Sequence, residues 1–205
     1  MNLILSGPSG AGKGTLISKL LSDYSTLKKS VSYTTRKPRE GEKCGKDHVF
    51  VDINEFDRLI KCDFFFEYTF YDDNFYGIPN ENTLDDENIV LFDLVASSGK
   101  KIKDKNPNSK LVYVITPDFE TLKKRRDNRG DNRSKYDANE LEIAKKEYDY
   151  LIINSDINLA YLNLLKVING SYGKIDDENI KFLSEFFCSN IKESHENKAY
   201  CFKTV

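Results

Sequence analysis

The sequence predicts an α/β fold, a central parallel sheet with helices on both faces, and three observations predict it. Short apolar runs at residues 3–5, 89–92, 111–115 and 150–153 alternate with amphipathic stretches, the pattern of buried strands joined by helices. A glycine-rich turn stands where the first run passes into a helix pattern. The chain has 205 residues, 39% of them hydrophobic, with 13 Phe and 12 Tyr, so one domain can bury a sizeable core.

In chain order, the run at 3–5 is the first strand, and the turn after it opens a helix through Leu16, Ile17, Leu20 and Leu21. Residues 30–79 break the alternation. They are rich in Tyr, Phe and charge, and Asp52 with Glu55 three residues on signals one helix start among short strands and loops. This stretch is expected to fold over the sheet as an insertion. The runs at 89–92, 111–115 and 150–153 are the remaining strands, with helices expected at about 118–128, 135–147 and 156–168. After Gly170, the residues Ile175, Ile180, Phe182, Leu183, Phe186 and Phe187 predict a further amphipathic helix packed on the body, with a loose terminus beyond it. The expected organisation is a core of residues 1–29 and 88–169, an insertion of 30–87 and a C-terminal extension of 170–205.

Net charge is −2, from 31 basic and 33 acidic residues, which argues against a dedicated nucleic-acid binder. The distribution is uneven, with seven basic residues between 28 and 46, seven more between 123 and 135, and an acidic stretch between them holding only Arg58 and Lys61 as cations. Two cationic walls around an anionic small molecule fit this pattern, as do solvated faces. No run approaches 18 apolar residues and the N-terminus lacks a basic leader, so no membrane or secretory role is expected. Cys44, Cys62, Cys188 and Cys201 form no C-x-x-C pair, in keeping with a reducing, cytoplasmic setting. Cys44 and His48 have no second pair to complete a metal site.

The strongest signal is Gly7-Pro8-Ser9-Gly10-Ala11-Gly12-Lys13-Gly14-Thr15. Glycines let successive backbone N–H groups curl around phosphate oxygens, and the helix N-terminus adds its partial positive charge. Lys13 is placed to reach the β- and γ-phosphates and Thr15 to offer a hydroxyl near the metal, so the motif predicts binding of ATP with Mg²⁺. The hydroxyl comes one residue later than in the strict pattern, because Gly14 follows the lysine. Downstream, Arg36 and Arg39 flank Pro38 in Ser30-Val31-Ser32-Tyr33-Thr34-Thr35-Arg36-Lys37-Pro38-Arg39-Glu40-Gly41-Glu42. Two planar guanidinium forks suit a terminal phosphate dianion.

With these motifs, and with Gly-Lys-Asp-His-x-Phe at 45–50, Phe-Glu-Tyr at 66–68, Asn-Phe-Tyr-Gly at 74–77 and Tyr-Asp-Tyr-Leu-Ile-Ile-Asn at 148–154, the chain resembles the guanylate kinase family over residues 3–165. The resemblance implies a P-loop nucleoside monophosphate kinase fold and ATP-dependent phosphorylation of GMP and dGMP, by a monomer or homodimer with nucleotides as its partners. It implies that Arg36, Arg39 and Tyr76 hold the GMP phosphate, that Glu67 reads the guanine N1–H and 2-amino group, that Ser32 lines the pocket and that Glu42 fixes the arginine loop. Asp93 matches an aspartate at a strand end. Lys13, Arg125, Arg129 and Arg133 take the catalytic positions, the last three around a lid at about 126–140 in which Glu140 follows Arg133. Lys123, Lys124 and Arg126 read as a solvated helix face.

Four departures from the family pattern bear on the acceptor. His48 replaces a tyrosine that helps bind the acceptor phosphate, and a protonated imidazole there makes GMP binding pH-dependent. Ile78 stands where a Ser or Thr hydrogen-bonds guanine O6, Val95 replaces the second aspartate of an Asp-x-Asp pair, and the lid is short. A kinase of the same fold with another or relaxed acceptor, and a non-catalytic binding module of this family, are the alternative readings.

Overall fold

The structure, a computed structural model, describes residues 1–80, 88–128 and 138–191. In chain order its elements are β1 (Asn2–Ser6), α1 (Lys13–Asp23), β2 (Lys28–Lys29), β3 (Tyr33–Thr34), β4 (Val49–Phe50), α2 (Ile53–Lys61), β5 (Phe65–Tyr71) and β6 (Asn74–Pro79). There follow β7 (Val90–Asp93), α3 (Ala96–Lys105), β8 (Lys110–Ile115), α4 (Phe119–Asp127), α5 (Ala138–Glu147), β9 (Tyr150–Ile153), α6 (Ile157–Ile168) and α7 (Asp177–Ile191).

Five strands make a parallel sheet of order β2-β7-β1-β8-β9. Successive side chains of a strand point to opposite faces. In β1, Leu3 and Leu5 therefore join Leu16, Ile17 and Leu20 of α1 and Ala160 and Leu164 of α6 on one face. Ile4 joins Ile102 of α3, Leu141 and Ala144 of α5 and Leu183 of α7 on the other. Both faces are covered, which is why these strands read as unbroken apolar runs. Helix α7 lies where the 175–187 pattern predicts one, with Leu183 fully buried and Phe186 packed edge-on to Phe119 of α4. The expected helix at 135–147 is described from Ala138 onward, and its first three residues, like the expected loose terminus, lie outside the described residues.

The insertion is a four-stranded mixed sheet, β4-β3-β6-β5. Helix α2 covers it, started by Asp52, whose side chain accepts from the Glu55 N–H at 2.8 Å. Phe56 of α2 stacks on Phe65 and Phe75 at 4.6 and 5.4 Å, giving this sheet a small aromatic core of its own. Two elements have no counterpart in the sequence reading, the two-residue edge strand β2 and helix α3.

Candidate active site

The loop between β1 and α1 is shaped by close approaches. Gly7 has φ +140°, and a Cβ there would overlap the Val114 carbonyl of β8. Gly12, the N-cap of α1, has φ +97°, and a Cβ there would overlap the Asn154 side chain. Asn154, just past β9, braces this loop through three of its polar groups. Its N–H donates to Ile115 O at 2.7 Å, its Nδ2 to Ala11 O at 2.8 Å, and its carbonyl accepts from Arg125 at 3.2 Å. Helix α1 carries no side-chain cap and no acid in its first turn, so its N-terminal N–H groups and partial positive charge face whatever the loop binds. Lys13 folds back over the loop, donating to Gly7 O at 2.7 Å, with its ammonium 3.7 Å from the Asp93 carboxylate at the end of β7. Thr15 is exposed on the first turn.

Arg125 thus touches the phosphate loop through Asn154. Its neighbour Arg126 corrects the sequence reading. Rather than lying on a solvated face it is 5% exposed, and its side chain packs against Gly10. Arg126 follows the buried Leu122 by four residues, so it lies on the face of α4 that packs against Gly10. Arg129 and Arg133 lie outside the described residues.

Across from the loop, the residues 32–50 and 76 form a second cationic wall. The guanidinium of Arg36 grips Glu42 bidentately, both bonds at 2.9 Å, and Glu42 also accepts from the Arg39 N–H at 2.8 Å. Burial opposes both charges, yet the pairing wins: Arg36 is pushed above and Glu42 held below the ordinary value. Glu42 therefore sets the conformation of the 36–42 loop. Ser32, buried, lies 2.8 Å from Nδ1 of His48, whose ring sits between Phe50 at 5.8 Å and Tyr76 at 6.2 Å.

Burial, followed by the positive charge of Arg36, holds the His48 imidazole below its ordinary value. The shift favours a neutral ring at pH 7 in the nucleotide-free protein, so His48 becomes charged only at lower pH. Where an acceptor phosphate lies beside the ring, as the resemblance implies, a dianion raises its pKa again, and its binding would take up a proton between the two values and tighten as pH falls through that window. In an NMR titration the free protein is expected to show His48 with a midpoint below 6.5, moving upward on saturation with GMP. The only other histidine is His195, so a His48→Tyr variant assigns the resonance. A free-state midpoint at or above 6.5 contradicts the geometry.

Glu67 on β5 is 7% exposed, and its carboxylate accepts from Lys101 of α3 at 2.8 Å. Sequence reasoning missed this partner, which lies 34 residues away on an element it did not foresee. Directly across the strand pair from Glu67 is Ile78, 2% exposed and part of the main core, with no hydrogen-bonding atom to offer from its side chain. Val95 is the N-cap of α3 and supplies no side-chain acceptor. Glu140 of α5 does so instead, accepting from the Ala96 N–H, from the Ser97 N–H at 3.2 Å and from the Ser97 hydroxyl at 2.7 Å. Loss of an N-terminal cap costs about 1–2 kcal/mol, so Glu140→Ala is expected to lower Tm by roughly 3–8 °C in a chain of this size. An unchanged melting curve counts against the capping role.

A five-stranded parallel sheet, a glycine loop leading into the first helix, and an inserted sheet that carries the basic loop at 36–46 define a P-loop nucleotide-binding α/β protein. The chain belongs to the guanylate kinase family, whose family model matches residues 1–171. It is 35% identical over 183 residues to a guanylate kinase of Lactococcus lactis, covering 85% of this chain and 89% of that one. Over 183 residues it is 36% identical to a guanylate kinase of Clostridioides difficile, covering 84% and 89%. Among solved structures it resembles the crystal structure of guanylate kinase from Anaplasma phagocytophilum, with a TM-score of 0.69, 29% identity, and 95% and 96% of the two chains covered.

Proposed function

We propose that the chain transfers the γ-phosphoryl group of ATP to GMP, and to dGMP, giving GDP and dGDP by in-line displacement. The observation that carries this reading is that a glycine-braced loop, whose lysine lies 3.7 Å from Asp93 at the end of β7, and a loop fixed by the Arg36–Glu42 pair stand in one chain of this family. Membership of the family supports the same activity.

In this mechanism the loop of residues 7–15, through the N–H groups of its residues other than Pro8, and the ammonium of Lys13 hold the donor's β- and γ-phosphates. The oxygen donors fit Mg²⁺. The Thr15 hydroxyl, exposed on the first turn of α1, would hold the cation together with the donor's phosphates, as the hydroxyl of a phosphate loop does. When bound, Mg²⁺ neutralises charge on the transferring group. Arg36, Arg39, Tyr76 and His48 hold the acceptor phosphate, with Ser32 lining the pocket and Glu42 keeping the arginine loop in place. Glu67 reads the guanine N1–H and 2-amino group. Arg125, with Arg129 and Arg133 from the lid at about 126–140, stabilises the charge that spreads over the γ-phosphoryl oxygens. Residues 1–29 and 88–169 serve as the core, 30–87 as the acceptor-binding insertion and 170–205 as an extension. The setting is the cytoplasm, where exposed thiols such as Cys44 and Cys62 stay reduced. No helix among the described residues is long and apolar enough to cross a membrane.

The test is ADP release with ATP and Mg²⁺ against GMP, dGMP, AMP, CMP, UMP and dTMP. GMP and dGMP are expected to turn over, with the other four at the background level. Equal turnover of GMP and AMP defeats the guanine assignment. No turnover with any acceptor makes the chain a binding module.

A further inference from the structure

We propose that Lys101 reads O6 of the guanine base, so that the base is held by an ion pair rather than by the Glu67 carboxylate alone. This rests on the acceptor assignment above and extends it to a residue of α3.

A carboxylate can satisfy N1–H and the 2-amino group of guanine, both donors, but it cannot satisfy O6, an acceptor beside N1 on the same edge. Some donor must stand next to the carboxylate, or O6 is stripped of water without a partner, which is costly. The strand partner of Glu67 does not supply one, because Ile78 faces it with carbon only. Lys101 does. Its ammonium lies 2.8 Å from Oε1 of Glu67, and its side chain is 53% exposed where that of Glu67 is 5% exposed. An ammonium has three donors, so one bond to the carboxylate leaves others for the solvent side, from which a base must approach a carboxylate so deeply set.

The pair thus presents acceptor and cationic donor side by side, complementary to the N1–H and O6 of guanine. The same arrangement works against adenine, which would bring its 6-amino group against the ammonium and its unprotonated N1 against the carboxylate. The lysine is held for this task by neighbours on its own helix. Lys105, one turn on, donates to the Phe66 carbonyl at 2.8 Å, docking α3 along β5 in the register that brings Lys101 to Glu67.

The experiment compares wild type, Lys101→Met and Lys101→Arg with GMP and inosine monophosphate as substrates and 6-thioguanosine monophosphate, which keeps N1–H and the 2-amino group but has at position 6 a sulfur that accepts hydrogen bonds weakly, as competitor. Lys101→Met is expected to lower kcat/KM for GMP and inosine monophosphate by roughly ten- to hundredfold, the scale of a hydrogen bond to a charged group, chiefly through KM. The inhibition constant of the 6-thioguanine nucleotide rises far less than the KM for GMP, and the KM for ATP stays unchanged. Lys101→Arg, which keeps a cationic donor, stays within a few-fold of wild type. An equal loss for all three nucleotides makes the lysine a support for Glu67 and overturns the proposal. No loss overturns it too, and a gain with GMP means that the lysine competes with the base for the carboxylate. Wild-type protein inactive with every guanine nucleotide overturns the acceptor assignment, and the role of Lys101 with it.

Discussion

Lys13→Ala is expected to lower kcat/KM by roughly 10³-fold or more while leaving the fold intact, because pre-placed charge on the transferring phosphoryl group is the main work of a protein in this chemistry. The fold is insulated from the change. The curl of the loop comes from the close packing of Gly7 on Val114 and of Gly12 on Asn154, and from the Asn154 bond to Ala11, none of which involves the lysine. The 3.7 Å approach to Asp93 contributes little to stability, since that carboxylate is 36% exposed and its field is screened. Alanine removes the bond to Gly7 O along with the charge, while the glycine packing that shapes the cradle remains. A thermal melt within about 2 °C of wild type, with turnover reduced by three decades, is the expected pair of measurements. Activity within tenfold of wild type excludes Lys13 from the transfer step.

How much of this could be read in advance depends on the range of the interactions involved. The four buried strands, α1, α4 and α6 were legible because burial on both faces of a parallel sheet leaves a local signature in apolar runs and helical stripes. Helix α3 left none. Its sequence, Ala-Ser-Ser-Gly-Lys-Lys-Ile-Lys-Asp-Lys, has an apolar stripe of little more than Ala96 and Ile102. What holds it is remote: Glu140 at its N-terminus and the buried Tyr148, whose hydroxyl donates to Ser6 at 2.5 Å and lies so close to Gly99 that a Cβ there would overlap it. The same limit applies within the site. The phosphate loop and the Arg36–Glu42 bracket are local motifs, whose partners lie within six residues of each other or at a strand end. The burial of Arg126 under Gly10 and the pairing of Glu67 with Lys101 are contacts between distant segments, and charge alone gave no sign of either. Glu42 shows the intermediate case. Its bond to Arg36 fixes the loop through a pairing that the spacing permits but that only the turn at Gly41, with φ +82°, brings about.

Glu67→Gln is expected to lower kcat/KM for GMP by roughly 10²- to 10³-fold and to narrow its preference over AMP by more than that factor, since a site built to hydrogen-bond one edge rejects an edge that leaves its polar groups unpaired. Glutamine keeps the size of the side chain but turns one acceptor into a donor. Against guanine, that amide N–H meets N1–H or the 2-amino group, donor against donor. Against adenine it meets N1, which accepts, while the amide oxygen meets the 6-amino group, which donates. The change is buried, at 7% exposure, so water cannot repair the mismatch with guanine. Its cost to folding is small by comparison, because Lys101, the partner left behind, is half exposed and regains water. The lysine nevertheless limits the gain with adenine, as its ammonium still opposes the 6-amino group. The double variant Glu67→Gln/Lys101→Met removes that opposition and is expected to give the lowest ratio of GMP to AMP turnover of the set. The two residues touch, so their effects are coupled rather than additive. A double variant whose ratio is no lower than that of Glu67→Gln alone shows that the lysine takes no part in choosing the base. A single variant that keeps the wild-type ratio shows the same for Glu67.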